Sequence, residues 1–254
     1  MMFPGPILRE ALQALEDGVQ KLTRNLQRPL YLGQPHRGEF RYANRNSQLM
    51  QILKAVRVVS GLHAAIQIGR MGFHQEAGAI LRVVDEALQD IDVLDEAHFS
   101  KTGPTTSQQQ LVNEFFSSDD VQRMESMLAG QAQPVPRVSR KKKRAAIERR
   151  LSAVPSPSPI RPTLDTIDAV LDGYVHCGYA QIMELYSASP TSEGFHMRGV
   201  HDQGRQELFA SWVPLFVHHA LNSVAHLLLV AKLHAEADEL VELRKRLETS
   251  QEYP

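Results

Sequence analysis

The sequence predicts an all-α protein, a helical bundle, on three observations. Apolar residues recur at spacings of three and four in several long segments, one of these segments carries two apolar faces, and no segment alternates apolar and polar residues as a half-buried strand does.

The first segment, residues 7 to 27, sets Ile7, Leu8, Leu12, Leu15, Val19, Leu22 and Leu26 in one stripe, with Pro4 and Pro6 at its start. From Pro29 to Ala43 the pattern breaks into a loop punctuated by Gly33, Pro35 and Gly38, and its Tyr31, Phe40 and Tyr42 are expected to pack. A helix over about Ser47 to Met71 has Leu49, Ile52, Leu53, Val56, Val59 and Ile66 on one face and Ala55, Val58, Leu62 and Ala65 on a second, which predicts a central helix. Gly72 ends it. A helix over about Gln75 to His98 follows, and the short connection predicts an antiparallel hairpin.

Shorter helices are expected near Ser107 to Phe116 and Asp119 to Leu128. Six prolines and a basic run then give residues 131 to 162 the composition of a mobile connection. A fourth major helix is expected over roughly Leu164 to Tyr186, and a loop over Ser187 to Gly204. A single long C-terminal helix begins near Arg205, bends at Pro214 and ends in an amphipathic tail. The organisation read from this is an N-terminal helix and loop (1–44), a first part of the bundle (45–130), a basic, proline-rich linker (131–162) and a second part with the C-terminal helix (163–254).

Charged residues make up 22% of the chain and apolar residues 43%, which is globular usage and far from the composition of a disordered chain. With 28 basic and 29 acidic residues there is no global field to attract nucleic acid, so any electrostatic partner is met locally. Cys177 is the one cysteine; it excludes an internal disulfide and cysteine-pair zinc sites, and with the lack of a signal-peptide pattern it leads us to expect a cytoplasmic protein. Trp212 to Ala231 is long enough to raise a membrane question, but Pro214, His218, His219, Asn222, Ser223 and His226 make it a helix buried in protein, and no membrane is expected.

Arg82, Asp85 and Glu86 share a helical face, as either a polar network in the bundle core or an ordinary intrahelical ion pair. Residues Asp172 to Tyr186 cluster three tyrosines with His176 and Glu184, followed by His196 and Arg198. His176 shares a helical face with Tyr179 and is placed for acid–base work or for a hydrogen-bonded core position, whereas Cys177 points elsewhere and forms no nucleophile pair with it. Asp95-x-x-His98 lacks a second copy, and His219 and His226 share a face without a carboxylate nearby in sequence, so no metal site is predicted. Arg140, Lys141, Lys142, Lys143 and Arg144 lie in a run from Arg137 to Arg150 that suits phosphate contact, or else a solvated linker. No Walker loop, Rossmann fingerprint, nucleophile elbow or His-Glu-x-x-His motif is present, and no cofactor is expected.

The Arg82-x-x-x-Glu86 helix, the Tyr174-Val-His-x-x-Tyr-x-x-x-Met-Glu-Leu-Tyr186 segment and the Phe195-His-Met-Arg-Gly199 loop together resemble a group of bacterial all-helical proteins related to the HEPN superfamily, over roughly residues 45 to 235. The resemblance implies a helical bundle, often dimeric, acting in stress or defence as a ribonuclease with an Arg-x4-6-His motif. Arg57 and His63 match that spacing formally, but Val58 follows the arginine where the family has a polar residue, and the pair falls about 120° apart on a helix. The expectation is therefore a HEPN-like protein that binds or cleaves RNA or a nucleotide through Arg82, Glu86, His176 and Glu184, with the basic run 140 to 144 assisting. The alternative is a non-enzymatic interaction protein that forms a homodimer through Leu233, Leu240, Leu243 and Leu247 of the C-terminal helix.

Overall fold

The computed structural model describes residues 4–32, 39–99, 103–117, 138–152, 160–189, 192–201 and 203–250, and they are mostly helical. In chain order the elements are α1 (Pro6–Arg24), β1 (Leu30–Leu32), β2 (Glu39–Arg41), α2 (Ser47–Arg70), α3 (His74–Phe99) and α4 (Thr106–Ser117). There follow α5 (Arg140–Ser152), α6 (Ile160–Val175), α7 (Tyr179–Met183), β3 (Tyr186–Ser189), β4 (Ser192–Phe195), α8 (Gln203–Val230) and α9 (His234–Glu248).

The α2/α3 hairpin is the centre of the bundle. Asn46 starts α2 by accepting the Leu49 amide at 2.8 Å, and both faces of the helix are buried, Ala55, Val58 and Leu62 on one and Ile52 and Ile66 on the other. Gly61 lets α3 approach, since a Cβ there would lie 2.5 Å from Val84 Cγ2. Gly72, at φ +84°, and the bond from Phe73 N to Ile68 O at 3.2 Å close α2 with a left-handed cap.

Around this hairpin α1, α8 and α9 contribute to one continuous core that runs in sequence from Leu8 to Leu247. α8 continues through the buried Pro214. Helices α2 and α8 are each long and apolar enough to cross a membrane by length and composition, and 61% of the most apolar stretch of each is buried within the protein. A smaller cluster of Met50, Val93, Leu94, Leu111, Val112, Val138, Ala146 and Ile147 joins α4 and α5 to the hairpin.

The structure corrects several expectations. The C-terminal helix is two helices: α8 ends in a left-handed cap at Lys232 (φ 62°), with Leu233 N bonded to Leu228 O at 2.8 Å, and α9 folds back. Leu240, Leu243 and Leu247, read above as a dimer face, are 1%, 3% and 0% exposed within the chain's own core, and Leu233 packs partly buried against that core. The exposed pairs Lys21–Glu236 at 2.9 Å and Arg246–Glu10 at 2.8 Å border the same α1/α9 contact.

The expected helix over 164 to 186 ends at Val175, because Cys177 (φ 50°) and the bond from Gly178 N to Gly173 O at 2.9 Å form another left-handed cap. His176 and Tyr179 are therefore not one face of one helix. The supposed connection over 131 to 162 contains α5 and the start of α6; residues 131–137 and 153–159 lie outside the described residues, as does the helix expected over Asp119 to Leu128.

Two short antiparallel ribbons also stand where loops were expected, β1 with β2 and β3 with β4. Neither is long enough to show an alternating pattern in sequence. Tyr31 and Phe40, expected to pack into the protein, pair with each other across the first ribbon and are 44% and 66% exposed.

Candidate functional site

Polar residues of α3 that face α6 and α8 form a seam inside an otherwise apolar bundle. Arg82, 3% exposed, is its most enclosed cation: Nε lies 2.8 Å from Asp172, Nη1 lies 3.0 Å from Asp85 and 3.3 Å from Asp168, and Nη2 lies 2.9 Å from Glu86. The contacts of Nη2 and of the Asp168 oxygens are close ion pairs without hydrogen-bond geometry. Gln89 donates to Asp85 at 2.7 Å, and burial holds the Asp85 carboxyl above its ordinary range against the opposing pull of His219 and Arg82.

The basic run closes over this seam. Arg140, Lys143, Arg144 and Ile147 recur at i, i+3, i+4 and i+7 of α5, so one face of the helix docks on α3 and α6. Arg140 reaches Asp172 at 2.6 Å and Glu86 at 3.5 Å, Arg144 contacts Asp168, and Lys143 reaches Asp90 at 2.5 Å beside Lys54 at 2.9 Å. Five cations, Lys54, Arg82, Arg140, Lys143 and Arg144, thus meet five carboxylates, Asp85, Glu86, Asp90, Asp168 and Asp172. Residues 140 to 144, expected to contact phosphate, thus divide between the seam and the surface. Arg140, Lys143 and Arg144 are spent on the protein's own acids, and of the five only Lys141 and Lys142 lie on the exposed side.

The four residues proposed as a catalytic set do not converge. Arg82 and Glu86 pair with each other. Glu184 instead accepts from the Tyr174 hydroxyl at 3.2 and 3.3 Å, while the Tyr174 ring lies edge-on to Trp212 at 5.9 Å and against Gly78, where a Cβ would come within 2.6 Å of it. Burial pushes Glu184 up, with Tyr174 and Arg205 opposing; Tyr174 is pushed up by burial and by the Glu184 charge. His176 is exposed in the turn after α6, and among the described residues no hydrogen bond or ion pair joins it to the other three.

The seam continues in groups that the sequence shows only in halves. His219 Nε2 lies 2.7 Å from Asp92 Oδ2, whose other oxygen accepts the Ser223 hydroxyl at 3.0 Å, and His226 Nδ1 lies 2.8 Å from Asp95 Oδ2. The histidine side chains are 31% and 30% exposed, while Asp92 and Asp95 are 12% and 2%. His219 and His226 were visible as one face; their carboxylates come from α3, 127 and 131 residues away in sequence. Neighbouring His218 meets Glu248 at 2.5 Å, and burial lowers its pKa against that bond. Among the described residues no group of three or more His, Cys, Asp or Glu side chains is arranged to hold a metal ion.

Arg57 and His63, the formal match to the ribonuclease spacing, are both exposed, and His63 lies 3.5 Å from Glu16 of α1. The Asp92–His219 and Asp95–His226 pairs each present an oriented, part-exposed imidazole, the geometry of a general base, and Asp92 of the first also accepts a serine hydroxyl. No family model, no curated protein and no solved structure matches this chain.

Proposed function

We propose that this chain is a non-enzymatic helical binding protein that works in the cytoplasm. The observation that carries the reading is the enclosure of Arg82 by Asp85, Glu86, Asp168 and Asp172 at 3% exposure, which leaves the guanidinium no side from which to meet a substrate. A buried cation with four acids around it, covered by a basic helix, is the design of a polar lock between packed helices. The test is incubation of the purified protein with end-labelled RNA, with and without a chelator, on denaturing gels. RNA should stay intact, and Arg82→Ala should lower the melting temperature.

A HEPN-like ribonuclease is the second reading, favoured by the Asp92–His219 pair rather than by the Arg82 group. In that case His219 takes the proton of a 2′-hydroxyl while Asp92 orients the ring and stabilises its charged form. Chelator-insensitive cleavage that His219→Gln abolishes, with the fold intact, would overturn the binding-protein reading in its favour.

A further inference from the structure

The β1/β2 ribbon turns outward. Tyr31 stands directly opposite Phe40 in the register, their rings edge to face at 5.2 Å, and the residues flanking Tyr31 in β1, Leu30 and Leu32, are 54% and 55% exposed. A protein of this size buries such side chains when it can, and scattered single exposures need no explanation, but here Tyr31 and Phe40 share one face of the ribbon and Leu30 and Leu32 the other, so both faces carry exposed apolar side chains. In an edge-to-face pair, the ring that offers its edge keeps both of its own faces uncovered by its neighbour.

The surrounding charge is equally one-sided. Residues 24 to 46 carry five arginines and a single acid, Glu39, in a chain whose net charge is −1. Arg28 is exposed just before β1, and Arg41 follows Phe40 in β2 and donates to its carbonyl at 3.1 Å. Exposed aromatic faces interleaved with arginine are what unpaired bases and their phosphates require: stacking for the former, forked hydrogen bonds for the latter.

We propose that this ribbon is a stacking site for single-stranded nucleic acid, an inference that rests on the binding-protein reading above and names its ligand class. A strand of three residues spans about 10 Å, enough for two or three stacked nucleotides. Duplex is excluded by chemistry, because its base faces are already stacked on one another. Arg140, Lys143 and Arg144 of α5 are paired within the seam and are not part of this site.

The experiment is fluorescence anisotropy of a short labelled oligouridine against the full chain, with the same oligonucleotide run in parallel on a denaturing gel. Oligouridine should bind with an affinity that falls between about 50 and 200 mM salt. Phe40→Ala and Tyr31→Ala should each weaken binding by about tenfold or more, Phe40→Trp should retain it, and Arg28→Ala should flatten the salt dependence by about one phosphate contact. Because these side chains are exposed, the variants should melt with the parent protein. Absence of binding overturns the proposal, and so does binding that Phe40→Ala leaves unchanged. So too does a dimer that Phe40→Ala splits in sedimentation while oligouridine stays free, since the ribbon is then a protein interface. Cleavage on the gel would instead sink the non-enzymatic reading and leave the aromatic dependence standing as the measure of this site.

Discussion

Arg140 Nη1 lies 2.6 Å from Asp172 Oδ2, and this ion pair joins a helix of basic composition to the carboxylate that also holds Arg82. The basic segment is thereby part of the fold. Its retention by charge, with Val138, Ala146 and Ile147 adding apolar burial among the described residues, makes it sensitive to ionic strength.

Pairs as open as Arg140 with Asp172, 38% and 33% exposed, contribute at most about 1 kcal/mol each. Combining Arg140→Ala with Lys143→Ala should therefore speed amide hydrogen exchange across residues 140–148 by about fivefold or more, and 1 M salt should do the same to the parent protein. Exchange that neither change alters would show that apolar packing alone holds α5.

Removing the cation from an enclosed group of acids leaves buried charge uncompensated. Arg82→Ala should cost about 3–5 kcal/mol of unfolding free energy in a denaturant titration, and Arg82→Lys, which keeps a charge but loses the fork, should recover part of it. An Arg82→Ala protein as stable as the parent would mean that the seam is not the lock described here.

Glu184 gives stability a pH dependence whose sign follows from its raised pKa. The native state holds this proton more tightly than the unfolded chain, so the contribution is fully present below the ordinary value of 4.5 and is lost as pH rises through the higher folded value. Glu184→Gln should raise the melting temperature at pH 7 and leave it unchanged near pH 4. His218, lowered by burial, acts oppositely: its contribution is present above 6.5 and fades as pH falls through the folded value.

Lys232 sits at φ 62°, a conformation that costs a side chain about 1 kcal/mol and glycine almost nothing. Lys232→Gly should stabilise the protein by about 0.5–1 kcal/mol, a rise of about 1–4 °C in Tm. A lowered Tm would show that the lysine makes a compensating contact.

Leu240 separates an internal from an external role for α9. At 1% exposure in the shared core, Leu240→Ala should cost about 2–5 kcal/mol, and Leu240→Asp should unfold the protein instead of dissociating an assembly. A folded Leu240→Asp monomer derived from a dimeric parent would restore the C-terminal interface.

The sequence by itself determined the helical class, the central α2/α3 hairpin and the stripe of α1, because each rests on an apolar period that is local and unambiguous. Tertiary structure decided everything that depends on charge meeting charge. The docking face of α5 is basic where a buried face is normally apolar, so a period of i, i+3, i+4 and i+7 carried by Arg140, Lys143, Arg144 and Ile147 reads as solvated linker until Asp168 and Asp172 are placed against it. The same holds for His219, whose carboxylate is 127 residues distant. The breaks at Cys177 and Lys232 were hidden for another reason: a left-handed cap usually announces itself with glycine, and here a cysteine and a lysine adopt it because the helices that follow must fold back. Tyr31 and Phe40, apolar enough to suggest burial, face outward because the ribbon that carries them lies outside the core.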